Sequence, residues 1–160
     1  MPNTTRAKTW IPGIMFARQI GGDFPLIIWQ ANSSAGSLNR GQFVKMAAGY
    51  LVASAIADTY IYGVTLAAAV TSAPSVPVAV GHPNNMFVGQ ATGSFFATSF
   101  PVGCDFALGP PNKVNLAGAT TKDLRAVDYI QSDDITDNTT PARVLFFIQA
   151  SQYDIVSTTP

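Results

Sequence analysis

Two side chains in this sequence could do nucleophilic or proton-transfer chemistry near neutral pH: His82, the only histidine, and Cys104, the only cysteine. A cysteine nucleophile needs a base within hydrogen-bond reach, so a Cys104/His82 dyad is the one pairing the composition permits. Local context argues against it. His82 lies in Gly81-His82-Pro83-Asn84-Asn85, a turn signature. Cys104-Asp105 follows a Pro-Val-Gly turn and opens a strand-like run, where a cysteine is an inert small hydrophobe. One histidine and one cysteine also fall short of a zinc site. Asp133, Asp134 and Asp137 carry the oxygen ligands that calcium takes. Their spacing departs from the EF-hand loop, and Gln131 to Pro141 reads as a solvated acidic surface loop. No G-x-S-x-G elbow, phosphate-binding glycine loop or catalytically spaced carboxylate pair is present. The expectation is a protein that is not an enzyme, with no catalytic residues, no cofactor and no metal.

Composition says what must carry the function instead. Of 160 residues, 48% are hydrophobic and only 11% charged, where an ordinary soluble domain has about 25% charged residues. A free monomer keeps itself soluble with a charged coat. This chain must coat itself with Ser, Thr, Asn, Gln and Ala, or bury much of its surface against partners. Nine basic residues balance nine acidic ones, with no basic stripe, so nucleic acid is not expected as a direct partner. Every acidic residue is Asp. Without Glu, and with many Val, Ile, Thr, Phe and Tyr, the chain lacks the usual coat of exposed helices. A single cysteine excludes a disulfide within the chain. Met1 to Gly13 has no apolar segment of signal-peptide type, and the longest apolar stretch, Met46 to Ala57, is too short and too interrupted to span a membrane. Asn3, Asn32 and Asn138 match the N-glycosylation pattern, as a chain rich in Ser, Thr and Asn does by chance.

The elements that position these residues are short β-like runs separated by Gly, Pro, Asn and Ser. They are Leu26–Gln30, Gln42–Ala47, Tyr50–Ala53, Tyr60–Leu66, Val76–Val80, Met86–Gln90, Ser94–Thr98, Cys104–Leu108, Val114–Ala117, Leu124–Ile130 and Arg143–Gln149. The last alternates little and is apolar on both faces for most of its length, which marks a central strand. Gly49 makes the Ala-rich stretch from Val44 to Ala57 two strands and a turn. Leu66 to Ala69 is the one place where a short helical turn fits. Regular short strands predict an all-β fold, a single compact β-barrel or β-sandwich. Residues 1–24 read as an extended N-terminal arm, and 25–160 as the β-barrel domain. Trp10, Ile11, Phe16 and Arg18 are the arm's candidate contacts to a neighbour, aromatic side chains being favoured interface anchors.

Four segments carry a family resemblance. Gly41-Gln42-Phe43-Val44 with Gly49-Tyr50-Leu51-Val52 is similar to an opening strand pair. Ile61-Tyr62-Gly63-Val64-Thr65-Leu66-Ala67-Ala68 is similar to an I-x-G-V-A-L-x-A-A segment. Val76-Pro77-Val78-Ala79-Val80 runs through His82-Pro83-Asn84-Asn85 into Met86-Phe87-Val88-Gly89. Arg125 to Ile130 and Arg143 to Ile148 resemble a closing hairpin. Together, over roughly residues 40 to 150, the chain resembles the head-decoration (cement) proteins of tailed bacteriophages. The resemblance implies a β-tulip-like domain that binds the outer surface of a capsid and stabilises it by bridging neighbouring subunits. The implied partners are the major capsid protein and further copies of itself in a homotrimer, with no membrane. The implied location is the capsid exterior of the virion, after synthesis in the host cytoplasm. A trimer needs an apolar seam, and Phe95, Phe96 and Phe100 are its candidates, with ordinary core packing as the alternative.

Two other classes fit an all-β chain of this length. One is a different virion part, such as a jelly-roll coat or fibre component. Coats that package RNA carry a basic arm, and this one has only Arg6, Lys8 and Arg18. The other is a carbohydrate-binding β-domain, with Trp10 or Trp29 stacking on a sugar in a concave site.

Overall fold

The computed structural model describes residues 13–19, 27–30, 36–92, 102–107, 112–115, 122–130 and 143–149. Among them the chain is all-β, with no helix. The strands are β1 (Met15–Gln19), β2 (Ile27–Gln30), β3 (Phe43–Ala47), β4 (Tyr50–Ala53), β5 (Gly63–Thr65), β6 (Val76–Val80), β7 (Asn85–Gln90), β8 (Val102–Ala107), β9 (Lys113–Asn115), β10 (Leu124–Ile130) and β11 (Arg143–Ile148). They form two sheets, one ordered β1-β7-β11-β10-β8-β9 and the other β2-β6-β5-β3-β4. Every strand pairing within them is antiparallel.

The larger sheet curls back on itself. Ala91, just past β7, forms an isolated parallel bridge with Val114 of β9, and the Thr92 N–H donates to the Val114 carbonyl at 2.8 Å. The far edge of the sheet thereby returns to the end of β7. Inside the curl lies a core that both sheets share. Phe43, Val64 and Ala79 of the smaller sheet meet Phe87, Phe106, Leu124, Val144 and Phe146 of the larger one. Phe43 packs at 4.8 Å from Phe106 and 6.0 Å from Phe146 between ring centroids, distances at which aromatic pairs attract.

Alternation along each strand sends the next residues to the opposite face of the smaller sheet. There Val44, Leu51, Val76, Val78 and Val80 join Leu38 and Tyr62 in a second buried cluster. Its cover includes the segment in which Leu38 and Ala69 exchange backbone hydrogen bonds of 2.8 and 2.9 Å. That pairing is extended, and the short helical turn that the sequence allows at Leu66 to Ala69 does not form. A sheet buried on both faces needs continuous apolar runs, which explains Val-Pro-Val-Ala-Val at β6.

The N-terminal segment differs from the sequence expectation. Residues 13–19, placed there in an arm, contain an edge strand of the larger sheet, and Ile14 is 2% exposed in the shared core. Pro12 and Gly13 exclude a helix but not a strand that starts after them. A β-bulge between Phe16 and Arg18 breaks the two-residue period that would have revealed it. The strand-turn-strand from Val76 to Gly89 also resolves differently from a hairpin. β6 pairs with β2 and β5, while β7 pairs with β1 and β11, so the turn passes from one sheet to the other.

Candidate functional site

His82 and Cys104 occupy separate elements. His82 stands in the corner between β6 and β7. Its N–H donates to the Val80 carbonyl at 2.8 Å, its carbonyl accepts from Asn85 N at 2.9 Å, and its Nδ1 accepts from Asn84 N at 3.2 Å. The Asn85 Nδ2 donates to the Val80 carbonyl at 2.9 Å. These bonds make the sharp exit from one sheet and entry to the next, and they give the histidine a structural part in it. Cys104 is fully buried in the shared core. Burial pushes its thiol up to about 11; a hydrogen bond with the Ala126 backbone opposes this by less, and Asp105 adds a smaller raising. A thiol held protonated and away from solvent is a poor nucleophile.

Asp105 and Asp58 act on the fold. Asp105 is buried and accepts from Lys122 N at 2.5 Å. Asp58 pairs with the Lys45 ammonium and also accepts from Ala55 N at 2.6 Å. Asn112, also buried, accepts from Phe43 N at 2.9 Å and so ties the approach to β9 onto β3 of the other sheet. Among the described residues no group of three or more His, Cys, Asp or Glu could hold a metal ion. No helix among them is long and apolar enough to cross a membrane.

The expected contact residues fare unevenly. Phe16 packs on its own core, edge-on to Phe87 at 6.1 Å and 83°. Arg18 lies in β1 with its Cα opposite Met86. Trp10, Ile11, Phe95, Phe96, Phe100 and Asp133 to Asp137 lie outside the described residues, as does the strand expected at Ser94–Thr98.

A surface that sequence reasoning missed lies on the β3–β4 hairpin and the loop after it. Tyr50, Ile56 and Tyr60 are 51%, 41% and 44% exposed. The other exposed residues of this stretch are all Ala, Gly or Thr: Ala47, Ala48, Gly49, Ala53, Ala55, Ala57 and Thr59. The charges in this stretch, Lys45 and Asp58, are joined to each other. The signal was present in the sequence, since residues 46–60 contain one charge. It reads equally well as core until the pairing shows which faces are turned outward.

No protein-family model matches this chain, and neither a characterised protein nor a solved structure does.

Proposed function

We propose that the chain is a structural virion protein. It binds the outer face of an expanded phage capsid and cements it, as a homotrimer that bridges neighbouring copies of the major capsid protein. The observation that carries this reading is the surface of residues 47–60, where two tyrosines and an isoleucine stand exposed among small residues and the one charge, Asp58, is paired with Lys45. Exposed apolar side chains gathered with little free charge mark contact faces. Tyrosine suits such a face because it buries a large ring while keeping a polar tip. The low charge of the whole chain supports the same reading.

In finer detail the reading takes the two sheets as one barrel-like or sandwich domain of β-tulip type. The core shared between them and the Ala91–Val114 bridge support that description. The segments that carry the family resemblance coincide with β3–β4, β5, β6–β7 and β10–β11. Clamping works by multivalency: several modest contacts per trimer act together at high effective concentration. No enzyme chemistry, cofactor, nucleic acid or membrane enters it.

The test is co-sedimentation of purified protein with expanded, undecorated capsids of its own phage. Saturable binding is expected, weakened at least tenfold in a Tyr50→Ser/Tyr60→Ser variant that keeps its fold by circular dichroism. Unchanged binding by that variant removes the surface from the reading. Absence of binding by the native chain overturns the reading itself.

A further inference from the structure

We infer that β1 is an exchangeable strand: in the assembled oligomer, residues 13–19 of a second copy fill the place that β1 occupies. The inference rests on the homo-oligomer of the proposed function.

The place is a built receptor for an extended peptide. Along β7, Val88, Phe87, Met86 and Asn85 offer the ladder that β1 completes, with Met15 opposite Val88 and Gln19 opposite Asn85. At the start of the strand sits a socket for one apolar anchor. An ideal Cβ at Gly89 would lie 2.4 Å from Ile14 Cδ1, so the glycine leaves the space that the isoleucine fills, beside Val114 and Phe146. A second glycine receives the backbone. Gly41 has φ +72°, its carbonyl accepts from Ile14 N at 3.0 Å, and an ideal Cβ there would come within 2.8 Å of both Ile14 O and Ile14 N. Main-chain pairing for affinity and side-chain pockets for register are the parts of recognition by strand addition.

The topology leaves this strand at an edge, as it does β2, β4 and β9, and β1 adds an apolar anchor, Ile14, seated in a glycine socket. β1 pairs with β7 alone and lies at the sheet edge. Without it, β7 presents an open edge on a strand whose Met86, Phe87 and Val88 are buried, the kind of edge that captures another strand. The occupant with matching chemistry is already identified, because this chain's own residues 13–19 fill the site. A second copy offers the same sequence, and exchange preserves each of these contacts. The choice between own strand and neighbour's strand then falls to local concentration, which assembly on a shell raises. Passed round a ring, such an exchange closes on itself and links the trimer through its sheets.

The experiment is a full-length Met15→Cys/Val88→Cys variant, joined by oxidation or a short thiol-bridging reagent and run on a non-reducing gel, with light scattering on the same sample. Cys104 is buried and stays silent. Covalent trimers are the expected product. Bridged single chains in a sample that scatters as a trimer overturn exchange and leave the oligomer standing. Bridged single chains in a monomeric sample overturn both. A sample in which no bridge forms, here and in Arg18→Cys/Met86→Cys, overturns the inference too, because β1 then does not lie on β7 of either copy.

Discussion

The fit between Ile14 and Gly89 can be measured as a coupling energy. Ile14 is 2% exposed and belongs to the core shared by the two sheets. Ile14→Ala removes three carbons from that core. At about 0.8 kcal/mol per buried carbon the transfer loss is about 2.4 kcal/mol. The vacated space raises the expected cost to about 3–4 kcal/mol. Gly89→Ala attacks the same contact from the other side. Its methyl would arrive 2.4 Å from Ile14 Cδ1, 3.2 Å from Val114 Cγ2 and 3.4 Å from a carbon of the Phe146 ring, which makes the site overpacked. Overpacking of this kind costs about 1–3 kcal/mol. In the double variant the alanine at 14 no longer occupies the space that the new methyl needs. The two costs should therefore fall short of additivity by about 1–2 kcal/mol, a size typical of residues in direct contact. Urea unfolding followed by far-ultraviolet circular dichroism, with the wild type and all three variants, gives the cycle. Strict additivity would refute the packing described for β1. An Ile14→Ala cost under about 0.5 kcal/mol, the range of surface substitutions, would return residues 13–19 to the status of a loose arm.

Other consequences are open to simpler measurements. The Cys104 thiol has its folded-state pKa raised from 9.0 to about 11, so the unfolded chain loses this proton first and stability falls as pH rises from about 9 towards 11. Cys104→Ala should remove that part of the alkaline loss in a thermal-melt series, and the native thiol should resist alkylation at pH 8 until the protein is unfolded. Ala48 sits at φ 49° beside Gly49 at φ 82° in the two-residue turn between β3 and β4, a conformation that favours Asn or Gly. Ala48→Asn should raise the urea midpoint by an amount equivalent to about 0.5–1 kcal/mol, and no rise would count against the left-handed backbone there. Asn112→Ala leaves the Phe43 N–H without its side-chain acceptor and should cost about 1–3 kcal/mol. Chemical denaturation checks it, and a neutral result would show that the tie between the sheets carries no energy.

Where local chemistry and long-range pairing agreed, the sequence was readable. Leu124–Ile130 and Arg143–Ile148 are strands of one antiparallel pair, and β11, apolar on both faces, lies between β7 and β10. Gly49 marked the β3–β4 turn, and the Gly81-His82-Pro83-Asn84-Asn85 turn marked the exit from β6. Partition into two sheets was not readable, because nothing in a turn sequence says whether its flanking strands pair with each other or with others. β1 was hidden by its bulge and its polar spacing. The buried state of Asp105 and Asn112 was hidden because what satisfies them is backbone distant in sequence, at Lys122 and Phe43. Of the chemistry-bearing residues, Cys104 was legible as buried because its neighbours are strand-like. The exposed tyrosines were not legible as a surface, since apolar residues signal burial until the pairing is known.

One position in β5 bears on how this protein can change over generations. A Cβ on Gly63 would lie 2.3 Å from the Ala79 carbonyl oxygen, 2.8 Å from Val78 Cγ1 and 2.9 Å from Val80 Cα, and the first and last of these are backbone atoms. Neither can be moved without separating β5 from β6 at the middle of the smaller sheet. Descent with this sheet intact therefore selects against a side chain at Gly63, while Val64 beside it is free to drift among apolar side chains of similar volume. In descendants whose sequences have otherwise diverged, a glycine at this place in β5 is the expected residue wherever the sheet is kept.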